Sequence, residues 1–387
     1  MCEKPLLRAT RVKGGYNFSG LFDGTKALFS ESNLVVGNLE TVFAGESAGY
    51  TRQLYSFNTP DAFLDSLGTS GVHLALTANN HCLDRGVEGL RRTLEQLDRH
   101  GLWHTGVTFE KGRNYFVKNI AGVRLAVYAL TASTNFYENR VSVNLDSDCH
   151  VNLARPNNEN AYNGLLHSDY SPSWKSRLPV SDTTRIRINK LLGRPFNKSR
   201  SDDYWDKESL KPYAHKMKED LFSARNEADY VIVCPHMGGQ FNLQPGAFSN
   251  YMMSFLTANG ADAVIASHPH IVQKLEWRND KPCMFSLGNY SISPSSPYVL
   301  HENLPEYSII MHLYVGDGNP KFSFSILKIL EDKRHRLRIC PVDELYQELI
   351  DAKNKNQLVK DATVIYNRVT SRNIRQVEMA REYELSN

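Results

Sequence analysis

Carboxylate, carboxamide and imidazole side chains follow apolar runs at four places in this chain: Gly37-Asn38-Leu39-Glu40, Asn79-Asn80-His81, Pro235-His236-Met237-Gly238-Gly239 and Ser267-His268-Pro269-His270. Oxygen and imidazole donors without thiolate suit a borderline divalent cation such as Mn²⁺, Fe²⁺ or Zn²⁺. A lone histidine at a strand end more often packs or hydrogen-bonds than ligates. Asn79-Asn80 alone also reads as a turn, and Glu40 alone as a helix cap or ion-pair partner. His268-Pro269-His270 is harder to dismiss, because alternate residues of extended chain project two imidazoles that share a site or straddle it. Four ends of compatible chemistry together favour a cation site over any single explanation.

Donors this far apart in sequence meet only where a fold collects strand ends, and the open α/β sheet does so at its carboxyl edge. The elements for such a sheet are present. Residues 33–40, 73–80, 124–130, 230–236 and 262–267 are continuous apolar runs that read as buried strands. Between them Val87, Leu90, Leu94 and Leu97 recur at helical spacing before Gly101, and a second helix spans 246–259. After Pro282 the segments PCMFSLGNY, YSIIMHLYV and FSFSILKIL predict an antiparallel β-rich portion. Residues 140–212, rich in Asn, Ser, Asp and Pro and anchored by Trp174 and Trp205, read as a polar insertion that carries substrate contacts or a lid. The domain is expected to span 1–330, and 331–387 to form a peripheral tail with helices at 342–355 and 372–386.

Composition sets the outer bounds. With 387 residues, 41% hydrophobic, the chain can bury a large core, and its 45 basic against 42 acidic residues give a charge of +3, too small to favour nucleic acid. The six cysteines lie far apart with no CxxC pair, so no zinc ribbon or disulfide framework is encoded and a reducing compartment fits. No apolar run approaches the ~18 residues of a membrane span, and the first residues carry no signal-like stretch. The expected location is cytoplasmic, or associated with the envelope if an anchoring segment precedes Met1.

In order and spacing, GNLET (37–41), ANNHCLDRG (78–86), PHMGG (235–239), SHPHIVQ (267–273) and FSLGNY (285–290) resemble the bacterial capsule-synthesis CapA family, also called PgsA or YwtB, of the calcineurin-like metallophosphoesterase superfamily. The resemblance covers residues 10–330. It implies a four-layer α/β/β/α sandwich with a two-metal site on one edge, and a role in making, anchoring or processing poly-γ-glutamate or another capsular polymer. By that resemblance Glu40 is the bridging acid, Asn80, His236 and His268 complete one metal's ligands, and His270 faces the other metal. His81 matches the superfamily's proton-donating catalytic histidine. Asp84 either orients that imidazole or caps the helix starting near Gly86, and Gly288-Asn289 is a tight turn facing the site.

Two departures from the family pattern shape the expectations. The family opens with a strand ending in Gly-Asp, whose aspartate serves the second metal, and the matching residues here begin just past that point. The fold is therefore expected to lack its first strand and to bind one or two ions, the second weakly. Met237 and Gln240 stand where the family carries Trp and Glu, which removes a carboxylate beside the site. The leading expectation is a metal-dependent hydrolase or transferase acting on a capsular polymer or its precursor, working with capsule-synthesis machinery. The alternatives are a catalytically impaired capsule-assembly accessory protein and a small-molecule phosphoesterase.

Overall fold

The computed structural model of the protein describes residues 1–52, 55–157, 188, 191–192, 199, 201–296, 299–316 and 318–386. The chain opens with helix α1 (Lys4–Ala9), a hairpin of β1 (Arg11–Val12) and β2 (Gly15–Tyr16), and α2 (Lys26–Ser30). Three parallel strands then form one sheet in the order β3 (Val36–Asn38), β4 (Leu74–Leu76) and β5 (Trp103–Thr105). Their crossovers carry α3 (Ala62–Gly68) and α4 (Gly86–Arg99). The sequence reading of α4 holds: Leu90, Leu94 and Leu97 are buried, and Gly101 adopts φ 68° just past the helix end.

Short strands β6 (Val107–Thr108) and β9 (His150–Val151) pair antiparallel, and a six-stranded sheet forms the centre of the molecule. Its strands are β7 (Phe116–Ile120), β8 (Val123–Thr131), β10 (Tyr230–His236), β11 (Ala263–Ile265), β12 (Leu275–Arg278) and β13 (Lys281–Met284), in the order β12-β13-β11-β10-β8-β7. The four inner strands β8, β10, β11 and β13 run parallel, so their carboxyl ends share one edge. Strand β8 shows why its run is continuously apolar. Val127 and Ala129 enter a core shared with β4, α3 and α4, while Ala126, Tyr128 and Leu130 enter a second core under α6 (Lys207–Glu227) and α7 (Ala247–Ala258). The architecture is α/β.

The segment 140–212 is tied down where it is described. Leu153 forms a parallel bridge to Thr131, and the buried Asp202 caps α7 from outside, accepting from Gly246 N, Ser249 N and Ser249 Oγ. Trp205 stacks on Tyr251 with ring centroids 4.4 Å apart, and α6 starts at Lys207, inside the expected insertion. Trp174 lies outside the described residues. Helix α5 (Phe136–Asn139) is a single turn just after β8.

The portion beyond 282 is antiparallel as expected, with β14 (Tyr307–Tyr314), β15 (Lys321–Glu331), β16 (Leu337–Pro341) and β17 (Tyr383–Leu385) meeting on β15. The residues after 331 are not a peripheral tail. They supply β16 and β17, and helices α8 (Val342–Glu348) and α9 (Ala352–Thr370) bury Val342, Leu345, Leu358, Ala362, Ile365 and Val369 in a third core against β12 to β15. Nor is 372–386 a helix: Ser371 ends α9 with φ 54°, Asn367 binds both N–H and C=O of Ile374, and the chain then extends to pair with β15. Among the described residues no helix is long and apolar enough to cross a membrane.

Candidate metal centre

Strand geometry brings the expected residues together. Leu39 N donates to Leu76 O at 3.0 Å, extending the β3–β4 pairing one residue past the strands. Asn79 then fastens the two ends, with Nδ2 donating to Leu39 O at 2.8 Å and Oδ1 accepting from His81 N at 3.1 Å. Glu40 and Asn80 are thereby placed side by side. On the facing sheet, Met237 N donates to Ser267 O at 2.9 Å and Ser267 N to Pro235 O at 3.0 Å, so the β10–β11 pairing continues to the histidines themselves. His268 and His270 both take positive φ, 111° and 61°, in a region where non-glycine residues cost of order 1–3 kcal/mol and which concentrates at functional sites.

Three other candidate ligands converge on Nε2 of His236. Asn80 Oδ1 lies 2.8 Å away, His268 Nδ1 3.1 Å and Glu40 Oε1 3.5 Å. The donor atoms of Glu40, His236 and His268 all fall within 4.8 Å of one another, close to the span of about 4.0–4.6 Å that two bonds to a single ion can bridge. Glu40 Oε1 is buried and accepts no hydrogen bond, while Oε2 receives only Asn38 Nδ2 at 3.4 Å. A buried carboxylate oxygen without a donor, facing imidazole nitrogens and an amide oxygen, has the chemistry of a cation site. Ser267 Oγ, 3.0 Å from His236 Nδ1, either donates or accepts and so permits Nε2 to present its lone pair.

His270 stands across Glu40, with Nε2 3.9 Å from Oε1. Asn289 Oδ1 accepts from its Nδ1 at 3.0 Å, which fixes the proton there and leaves Nε2 free, and Asn289 Nδ2 returns to His270 O at 2.8 Å. Burial alone would raise Glu40, yet the neighbouring imidazoles of His236 and His270 hold its carboxyl well below the usual range. Burial, reinforced by the neighbouring imidazoles, pushes His268 well below the ordinary histidine value. Burial likewise brings His270 down to about 4. Their lone pairs are available at neutral pH.

His81 stands apart from this cluster. Its Nδ1 meets Asp84 Oδ2 at 2.7 Å, the same oxygen accepts from Phe57 N, and the Phe57 ring lies 4.4 Å from the imidazole centroid. Asp84 caps no helix, so of its two readings the structure keeps the one that orients His81. Met237 is buried in the second core, which accounts for an apolar residue at that position. Sequence reasoning missed Asn38, Ser267 and Asn135, and treated Asn289 as a turn residue only. The signal was available for Asn135, since the end of 124–130 is a strand end like the other four.

A relative from Sinorhizobium fredii (strain NBRC 101917 / NGR234), the uncharacterized protein y4sH, is 24% identical over 295 residues, covering 68% of this chain and 59% of its own length. The Bacillus anthracis capsule biosynthesis protein CapA is 20% identical over 320 residues, 79% of this chain and 64% of its own. The chain thus spans about three fifths of the length of these curated relatives. A solved structure, a hypothetical protein from Thermus thermophilus, aligns over 88% of this chain and 94% of its own at 12% identity and TM-score 0.33. The family model for bacterial capsule synthesis protein PGA_cap matches residues 1–294, and the chain belongs to that family.

Proposed function

We propose that Glu40, Asn80, His236 and His268 hold a divalent cation, that His270 faces a second position across Glu40, and that the protein is a metal-dependent hydrolase or transferase acting on a capsular polymer or its precursor. The observation that carries this is the orphaned Glu40 Oε1 at the centre of converging imidazole and amide donors. Two sheets face to face with helices outside each support reading the fold as the four-layer α/β/β/α sandwich. A bound ion supplies Lewis-acid polarisation of the bond under attack. The chain's own part lies with His81: Asp84 accepts its Nδ1 proton, so Nε2 takes up and returns the proton that the leaving group requires. The name of the Bacillus anthracis relative supports capsule biosynthesis as the setting. A cytoplasmic site of action goes with this reading, and fractionation of cells distinguishes it from an envelope-bound one.

A second reading, an accessory capsule-assembly protein without catalysis, is favoured by one feature: His81 is only 2% exposed and lies against Phe57. Metal analysis of the full chain beside Glu40→Gln and His268→Ala, together with turnover assays, separates the readings. Stoichiometric Mn, Fe or Zn lost in both variants, with cleavage of an amide-linked glutamate polymer, supports the enzyme. Metal without turnover of any substrate supports the accessory role. Hydrolysis of a model phosphodiester alone supports the small-molecule phosphoesterase.

A further inference from the structure

The turn after β8 brings a residue to the centre that none of the motifs contains. Asn135 adopts φ 52°, a left-handed conformation that asparagine tolerates better than most residues. Its seat is rigid. The preceding Thr134 is fully buried, its N–H donates to Asn157 Oδ1 at 3.2 Å, its hydroxyl accepts from Asn157 Nδ2, and its carbonyl accepts from Asn139 Nδ2.

The Asn135 amide touches two residues of the site at once. Oδ1 accepts from Asn80 Nδ2 at 3.2 Å, and Nδ2 lies 3.3 Å and 3.5 Å from Nδ1 and Nε2 of His81. The direction follows from the network: Asn80 turns Oδ1 to His236 Nε2 at 2.8 Å, so its other end is the NH₂ and needs an acceptor. Asn135 must therefore present oxygen to Asn80 and its own NH₂ to His81. Near-equal distances to both ring nitrogens put Asn135 Nδ2 against the face of the imidazole, where an N–H meets the π cloud, while His81 Nδ1 stays on Asp84.

We propose that Asn135 is a positioning residue that couples the ligand amide of Asn80 to the proton-carrying ring of His81. This rests on the metal-centre reading above. An unrestrained asparagine amide has two nearly isosteric orientations, and the flipped one would point an NH₂ at a cation. Asn135 selects the orientation that points oxygen, and with its other end it braces the face of the imidazole. The ligand and the proton carrier are then set by one side chain.

Two variants of the full chain test this. Asn135→Gly accepts the positive φ without steric cost and removes the amide, while Asn135→Asp keeps an acceptor for Asn80 but loses the donor to His81. The readouts are Mn²⁺ affinity by calorimetry and the ¹⁵N shifts of the His81 imidazole at fixed pH in metal-free protein. Asn135→Gly is expected to bind Mn²⁺ about tenfold or more weakly, the range for loss of a group that orients a ligand, and to move the His81 shifts. Asn135→Asp is expected to recover Mn²⁺ binding while the shifts stay displaced. Unchanged affinity and shifts in Asn135→Gly overturn the inference, as does an equal loss of Mn²⁺ affinity in both variants. A wild type that binds no Mn²⁺ sinks the metal-centre reading instead; the His81 shifts alone then decide, and unmoved shifts in Asn135→Gly overturn the coupling.

Discussion

At the scale of single residues, Glu40 decides most. Its Oε1 is buried without a donor, and the imidazoles of His236 and His270 hold the carboxyl well below the usual range, so the fold favours the ionised form. Glu40→Gln is therefore expected to melt below the wild type at neutral pH without added metal. With Mn²⁺ at a hundred times its dissociation constant the wild type should gain roughly 2.7 kcal/mol and the variant almost nothing. A wild type whose melting temperature ignores Mn²⁺, Fe²⁺ and Zn²⁺ alike removes the basis for the site. Residue type and position marked the four strand-end segments in the sequence, and the family resemblance singled out Glu40, Asn80, His236 and His268 within them. Asn38, Ser267, Asn135 and Asn289 were less legible, because an amide or hydroxyl that orients an imidazole has no spacing rule of its own. Only proximity across 19 to 198 positions, as between His270 and Asn289 or Asn38 and His236, reveals its role.

At the scale of elements, the parallel pairing of β3 with β4 and of β10 with β11 does the positioning, and the two histidine loops must approach closely to complete it. Gly238 marks that approach. It has φ 123°, and a Cβ there would sit 2.7 Å from Pro269 Cγ, between the loop of His236 and the loop of His268. Gly101 offers the comparison, since it has φ 68° but open space around the missing Cβ. Gly101→Ala should cost only the left-handed backbone penalty of about 1–2 kcal/mol. Gly238→Ala adds a contact that the neighbouring loop must move to relieve, for a total of roughly 2–4 kcal/mol. Chemical denaturation of both variants reads the difference, and Mn²⁺ affinity should fall only in Gly238→Ala. Equal stability losses with unchanged affinity would mean that the two loops are placed by other contacts. The strands ending at the site and helices α4 and α7 were legible because each carries its own period, whereas α6 and most of α9 were not. The polar segment around 202 was not, since its order comes from Asp202 capping a helix that begins 45 positions later.

At the scale of the whole molecule, the residues beyond 331 misled the sequence reading for a physical reason. Arg372, Arg375, Glu378, Arg381, Glu382 and Glu384 give 372–386 the charge density of a solvated helix, although Val377 and Tyr383 are buried in the core and Ile374, Met379, Ala380 and Leu385 pack against it. Pairing with the free side of β15 settles the conformation there, and such pairing cannot be seen in a local window. The same region closes the third core. Val342, Leu345, Leu358, Ala362, Ile365, Val369 and Tyr383 are buried there, and Leu337 and Ile339 are buried in the first core. At about 1.5–3 kcal/mol for each large apolar side chain, their removal takes away as much burial energy as the 5–15 kcal/mol by which a folded domain is ordinarily stable. A chain ending at Glu331 should therefore expose β14 and β15, lose its near-ultraviolet circular dichroism and bind a hydrophobic dye, even though every candidate metal ligand lies upstream. The metal should not rescue it, because β13 lies between the third core and the strand ends that hold the donors, and Val272 of the histidine loop is itself buried against that core. If the shortened chain instead unfolds cooperatively and binds Mn²⁺ with wild-type affinity, the region beyond 331 is a separable addition and the third core contributes nothing to the site.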